Sequence, residues 1–262
     1  MNTTLYGFCN IALIAVRAAA NHRSEMVTQL LFGEAFCITN SQHCAGWVKI
    51  KTQYDDYEGF IDIYQLSLLH PSIYEKYYLK KQYKIAHKEL KIKDLKRNIT
   101  FFAPFGSSLP VNDCGEMKLG NECFEIEDRI EAVDFSPALF KTLSFQFLNT
   151  PYLWGGRTIY GIDCSGFNQL IFKSLGIYLP RDASQQVSMG KNIDNMADIE
   201  TADLAFFADK QGKITHTGMI WDKENIIHAS GKVKLDKIDK TGIYSLEREE
   251  YTHTLKYIKR LI

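Results

Sequence analysis

Residues 151–167 read P-Y-L-W-G-G-R-T-I-Y-G-I-D-C-S-G-F, and the fold turns on Asp163-Cys164-Ser165-Gly166 within them. A glycine-punctuated loop precedes this tetrapeptide, and an apolar-periodic segment, residues 167–175, follows it as a predicted helix. Cys164 then falls on the first turn, among unpaired backbone N–H groups at the positive end of the helix dipole. Both features favour thiolate over thiol. Two histidines downstream are candidate proton acceptors: His216 in I-T-H-T-G-M-I-W and His228 in N-I-I-H-A-S-G. Thiol, then base, then a group that orients the base is the order of a nucleophilic site.

The rest of the chain sets the frame. At 262 residues it suits two or three modest domains, and 45% hydrophobic content with a net charge of zero is that of an ordinary globular protein. No basic excess points to nucleic acid or an anionic membrane, and no run approaches a membrane-spanning length. The six cysteines (9, 37, 44, 114, 123, 164) have no regular spacing, which fits a reduced compartment better than a disulfide framework. Cys114 and Cys123 read as buried hydrophobes rather than metal ligands, and neither a metal nor an organic cofactor is implied. Residues 5–20 are apolar and end in small residues, but they lack a basic flank and carry Arg17 inside the run. Residues 11–16 read better as a first strand than as an export signal.

Residues 1–70 break into five short strand-like runs separated by turn-prone stretches, the pattern of a small β-barrel. Residues 71–80 form a polar-aromatic bridge. A second set of short strands follows, so that residues 71–135 comprise a linker and a more degenerate β domain. At Ser136-Pro137 the character changes. A serine N-cap and a proline at the first helical position open a segment with helical apolar spacing. Beyond the cysteine helix, L-A-F-F, H-T-G-M-I-W and I-I-H-A-S read as antiparallel strands, making residues 136–262 an α+β domain. His216 and His228 share a sheet face only if the hairpin pairs with an even residue sum, such as Gly218 opposite His228. A three-residue loop gives that register.

Y-L-W-G-G, G-I-D-C-S-G-F, L-P-R-D-A-S-Q-Q, D-L-A-F-F, H-T-G-M and I-I-H-A-S, in this order, resemble the NlpC-type papain-like cysteine peptidases of bacterial cell walls. The resemblance spans residues 136–262. In front of it, R-S-E-M-V-T-Q-L-L-F-G-E and Y-E-G-F-I resemble the SH3-like domain of the γ-D-glutamyl-L-diamino acid endopeptidases. It implies Cys164 as nucleophile, His216 as base and His228 as the residue that holds the His216 ring. Tyr152 either lies near the oxyanion site or packs beside Trp154.

The resemblance further implies a small murein peptide with a free N-terminal L-Ala and γ-linked D-Glu. Asp163, Glu25 and Tyr57 would meet its ammonium end, and Ser165 with Asp182, Ala183 and Ser184 its carbonyl and carboxylate. Relatives often have serine where Ala183 stands, and a Pro-Gly turn where this chain has Glu200-Thr201-Ala202-Asp203. The expected enzyme is a monomeric, cytoplasmic peptidase of wall-peptide recycling. Its rivals are a papain-like amidase on another peptidoglycan bond and a non-enzymatic wall-peptide binder. An exported location is the alternative if a signal has been removed.

Overall fold

The computed structural model describes residues 4–44, 46–112, 115–128, 130 and 134–262, without the side chains of residues 40–44. The chain divides into two compact units, Met1–Val133 and Asp134–Ile262.

The first unit opens with β1 (Leu5–Phe8), β2 (Leu13–Arg17), β3 (Met26–Leu31), β4 (Ala35–Cys44), β5 (Trp47–Thr52), β6 (Glu58–Asp62) and β7 (Leu68–Leu69). They form one antiparallel sheet in the order β3-β2-β6-β5-β4-β1-β7. Cys9, Ile14, Val16, Leu30, Phe36, Val48, Ile50 and Ile61 from around this sheet meet in a single cluster, so the sheet wraps a core of its own. The five expected strands are β2 to β6. β1 is an addition, lying in the apolar run that precedes the expected first strand. Its Gly7 is needed there, because a Cβ would stand 2.4 Å from the Phe36 ring.

The aromatic bridge is more than a linker. A turn of helix α1 (Pro71–Ile73) runs into a π-helical stretch, Tyr74–Leu79, that buries Tyr74 and Tyr78. The Tyr78 hydroxyl donates to the Gly33 carbonyl at 2.7 Å. Beyond it come β8 (Lys84–Ile85), β9 (Leu90–Asp94), β10 (Ile99–Ala103), β11 (Ser108–Leu109), β12 (Glu116–Leu119) and β13 (Glu122–Ile126), paired as β10-β9-β13-β12 and β11-β8. One core cluster joins Phe8, Phe32 and Leu69 to Tyr78, Ile92 and Phe124. The two β halves of the first unit are thus fastened through shared apolar burial, at roughly 25 cal/mol per Å² removed from water. Cys9, Cys37, Cys123 and Cys164 are free thiols, with Cys123 half-buried, and Cys114 lies outside the described residues.

In the second unit, α2 (Pro137–Phe145) starts as its sequence predicts, with the Ser136 hydroxyl accepting from the Leu139 N–H. The short hairpin β14 (Arg157–Thr158) and β15 (Gly161–Ile162) leads into α3 (Cys164–Ser174), and α4 (Ala183–Gln186) follows. All eleven residues of α3 are buried, including Asn168 and Gln169, so it is a central helix rather than an amphipathic surface one. After β16 (Lys191–Asn192) come β17 (Leu204–Ala208), β18 (Ile214–Ile220), β19 (Asn225–Ser230), β20 (Lys232–Ile238), β21 (Gly242–Ser245) and β22 (Glu250–Arg260). Each pairs with the next, and β22 pairs with both β21 and β17, so six strands close into a barrel without edges. One face of these strands carries Ala205, Ile220, Ile226, Ile238, Ile243 and Ile258 into an apolar cluster.

Candidate active site

Asp163 is the N-cap of α3, and its carboxylate organises the approach to Cys164. Oδ1 accepts from the Gly166 N–H (2.7 Å) and the Ser165 hydroxyl (3.2 Å), and Oδ2 accepts from the Gly155 N–H at 2.8 Å. Arg181, 2% exposed, donates through Nη1 to Oδ1 at 3.0 Å and to the Ser165 hydroxyl at 2.9 Å, and through Nη2 to Oδ2. A bidentate arginine on a buried carboxylate gives both charges a partner. The glycines are required by crowding: a Cβ at Gly166 would stand 2.6 Å from the Gly156 carbonyl oxygen. Gln186 ties α4 to this helix, donating to the Ser165 and Pro180 carbonyls at 3.0 and 2.9 Å.

The sheet brings the histidines together. Gly218 lies opposite His228, across a three-residue loop closed by the Trp221 N–H to the Asn225 carbonyl. This is the register the sequence required. Gly218 also makes room, since a Cβ there would stand 2.7 Å from that of His228. His216 Nε2 meets His228 Nδ1 at 2.9 Å, and His228 Nε2 meets Asp236 Oδ2 at 3.1 Å. Asp236 lies opposite Ile226, one step along β20 on the face of His228, and is fully buried. It also accepts from the Leu246 N–H at 2.9 Å and pairs with Lys234 at 3.3 Å. The backbone groups of Ser165 and Thr217 lie close enough to the Cys164 thiol to favour its ionised form. Thr217 is the neighbour of His216 on β18, so the thiol meets that strand beside the histidine.

Burial pushes the Asp236 carboxyl up, but the His228 hydrogen bond, the Leu246 N–H and the neighbouring Lys234 ammonium outweigh it and hold it below the usual range. An ionised Asp236 can only accept. His228 therefore keeps its proton on Nε2 and offers Nδ1 as acceptor. His216 in turn donates from Nε2, which leaves its Nδ1 unprotonated and free to take a proton. One buried carboxylate fixes both tautomers.

Burial also lowers both imidazoles, His216 well below its ordinary value with help from His228 and His253. The expected resting thiolate is not what the structure supports. Burial and the Asp163 carboxylate push the Cys164 thiol up to about 12, against those two backbone groups and Arg181. Desolvation outweighs the helix terminus, so burial favours a neutral thiol beside a neutral imidazole.

Tyr152 is half-buried. Burial, together with the neighbouring Cys164 and Asp163, raises its phenol above the ordinary value, so it is a neutral donor beside the thiol. Trp154 is 61% exposed. Asp182 is the N-cap of α4 in a capping box with Gln185, Ala183 is buried at the start of that helix, and Ser184 is exposed. Glu25 and Tyr57 belong to the first unit. Glu25 is exposed before β3, and the Tyr57 N–H donates to the Thr52 hydroxyl at 2.9 Å.

Sequence reasoning missed Asp236, His253 and Arg181. His253, on β22, stacks on His216 with ring centroids 4.2 Å apart and planes at 28°. In V-K-L-D-K-I, alternation alone assigns Lys234 and Asp236 to a solvent face. Closure of the barrel turns that face inward. Arg181 stood in the L-P-R-D block, where a buried partner for Asp163 could have been sought.

A thiol on a buried helix start, set against a histidine on an antiparallel barrel, defines the papain-like class of domain. Residues 149–250 match the NlpC/P60 family and residues 16–66 the bacterial dipeptidyl-peptidase SH3 domain, so the chain carries an NlpC/P60 domain behind an SH3 domain of that type. It is 44% identical over 85 residues to the gamma-D-glutamyl-L-lysine dipeptidyl-peptidase of Bacillus subtilis (strain 168), covering 32% of this chain and 28% of that protein. It is 37% identical over 117 residues to the protein of the same name from Bacillus cereus, covering 43% and 34%. The matched part thus spans about a third of these relatives' length. A crystal structure of an NlpC/P60 family protein from Bacillus cereus ATCC 10987 shares the fold, with a TM-score of 0.76 at 20% identity over 98% of this chain and 99% of that one.

Proposed function

We propose that this protein is a cysteine peptidase that hydrolyses the bond between γ-D-Glu and a diamino acid in small murein peptides with a free N-terminal L-Ala. The observation that carries the reading is the hydrogen-bonded series His216–His228–Asp236 ending beside a buried thiol on a capped helix. The Cys164 sulfur attacks the scissile carbonyl as its proton passes to Nδ1 of His216, so neither charge exists before substrate arrives. His228 and Asp236 stabilise the imidazolium that forms. The backbone N–H of Cys164 and the Tyr152 hydroxyl receive the tetrahedral oxyanion. As the C–N bond breaks, the imidazolium gives its proton to the leaving amine. Water, deprotonated by the same histidine, then hydrolyses the thioester. Names of the relatives support the bond class. Action on free peptides, in cytoplasmic recycling of wall fragments, is part of the same proposal.

The test is hydrolysis of L-Ala-γ-D-Glu-diaminopimelate beside its N-acetylated form, with Cys164→Ala as control. Cleavage of the free tripeptide alone, absent in the variant, is the expected result. Equal cleavage of both would remove the amine requirement. Cleavage retained by Cys164→Ala would remove the nucleophile. Glu25→Gln and Tyr57→Phe, assayed on the same pair, report whether those residues read the amine.

A further inference from the structure

The barrel mouth holds a cavity of about 380 Å³ lined by Lys232, Lys234, Arg248, Glu247, Thr252 and His253, with Ser230 and Gly231 at its rim. The cations outnumber the carboxylate three to one. Glu247 is shared between Lys232 (2.9 Å) and Lys234 (3.4 Å). Arg248 is exposed and, among the described residues, makes no ion pair, yet its charge is felt by the His253 ring. The position is as telling as the charge. His253 forms one wall and stacks on His216, while the Gly231 carbonyl accepts from the backbone N–H of Tyr152 at 2.9 Å, beside the thiol. The cavity therefore adjoins the His216 side of the site.

Chemistry assigns that side. The group that hands a proton to the leaving amine must sit next to the scissile nitrogen, so whatever hangs on that nitrogen extends past His216. We propose that this cavity is a carboxylate-binding subsite for the residue released as the amine, with Arg248 as its principal anchor. This rests on the peptidase reading. The planar guanidinium is suited to bidentate hold of a carboxylate, and Lys232 adds charge at the rim. The α-carboxylate of a C-terminal lysine or diaminopimelate is the shared chemistry. A peptide continuing past that residue would lack it.

The experiment has two arms. In the first, L-Ala-γ-D-Glu-L-Lys and its C-terminal amide are compared with wild type and Arg248→Ala. Wild type is expected to favour the free carboxylate by about tenfold in kcat/KM, mostly through KM, and Arg248→Ala to bring the ratio near one. Equal rates in wild type, or a ratio that survives in Arg248→Ala, would overturn the proposal. A steeper preference for diaminopimelate over lysine, also lost in Arg248→Ala, would assign the cavity to the remote carboxylate instead. In the second arm, free L-lysine and L-lysinamide are titrated into Cys164→Ser protein while the Arg248 Nε–H and the His253 ring are followed by NMR. Shifts with lysine and none with lysinamide are expected, and identical responses would overturn the subsite. If no tripeptide is cleaved but these shifts occur, the peptidase reading falls and the subsite stands.

Discussion

The two ends of the six-stranded barrel are built from the same strands and the same inward face, yet they do different work. At one end Ile220, Ile238 and Ile258 fill the interior, and at the other His216, His228, Asp236 and His253 do. Phe207 stands between, its ring 5.8 Å from His216 and 5.9 Å from His253. Burial does not separate the ends, since Ile220, His228 and Asp236 are all fully buried. Partnering does. The apolar end gains from area removed from water, with no demand on direction. The polar end must match each donor to an acceptor, and that matching selects one tautomer for each histidine.

Substitutions should therefore split by end. His216→Ala removes the proton acceptor and should lower kcat/KM by about 10³-fold or more. A loss under tenfold would place the base elsewhere. Asp236→Asn keeps the shape but no longer forces the tautomers, because an amide can donate as well as accept. A loss on the order of 10- to 100-fold in kcat is expected, carried in kcat rather than KM. Ile220→Ala, on the same strand as His216, should do the reverse. It should cost about 2–5 kcal/mol of stability in urea denaturation while kcat per folded molecule holds within about twofold.

Acidification probes the polar end without mutation. His216 and His228 are buried neutral with lowered pKa values, whereas the unfolded chain takes protons near pH 6.5. Their contribution to stability is full above about pH 6.5 and is lost as pH falls toward the folded values. The urea midpoint should drop between about pH 6.5 and 5, and less so in His216→Gln. The smallest effect lies outside the barrel's interior. Ala202 has φ +76, in the turn before β17. Ala202→Gly should raise stability by about 0.5 kcal/mol, relief of the left-handed strain exceeding the added freedom of the unfolded chain. A loss on that substitution would show that the methyl contributes packing worth more than the strain.

What was legible in the sequence follows the same division. Features carried by spacing could be read: Ser136-Pro137 as a helix start, Cys164 on the first turn of α3, and the even register that places His216 and His228 on one face. Features that depend on closure could not. Asp236 and His253 come inward only because β22 pairs with both β17 and β21. The effect of burial on Cys164 could not be read for a related reason. A helix start says where N–H groups point, but the burial that raises the thiol comes from β18 packed over it. In the first unit, Tyr74 and Tyr78 looked like linker until a second set of strands covered them.

The most direct test of the relay is covalent trapping with an L-Ala-γ-D-Glu chloromethyl ketone at neutral pH, followed by peptide mapping of the adduct. A neutral resting thiol needs His216 to react, so wild type should carry one adduct, on Cys164, and His216→Ala should label slower by about 10²-fold or more. Labelling of Cys164 at the same rate in both proteins would show a thiolate that needs no relay, and would contradict the account.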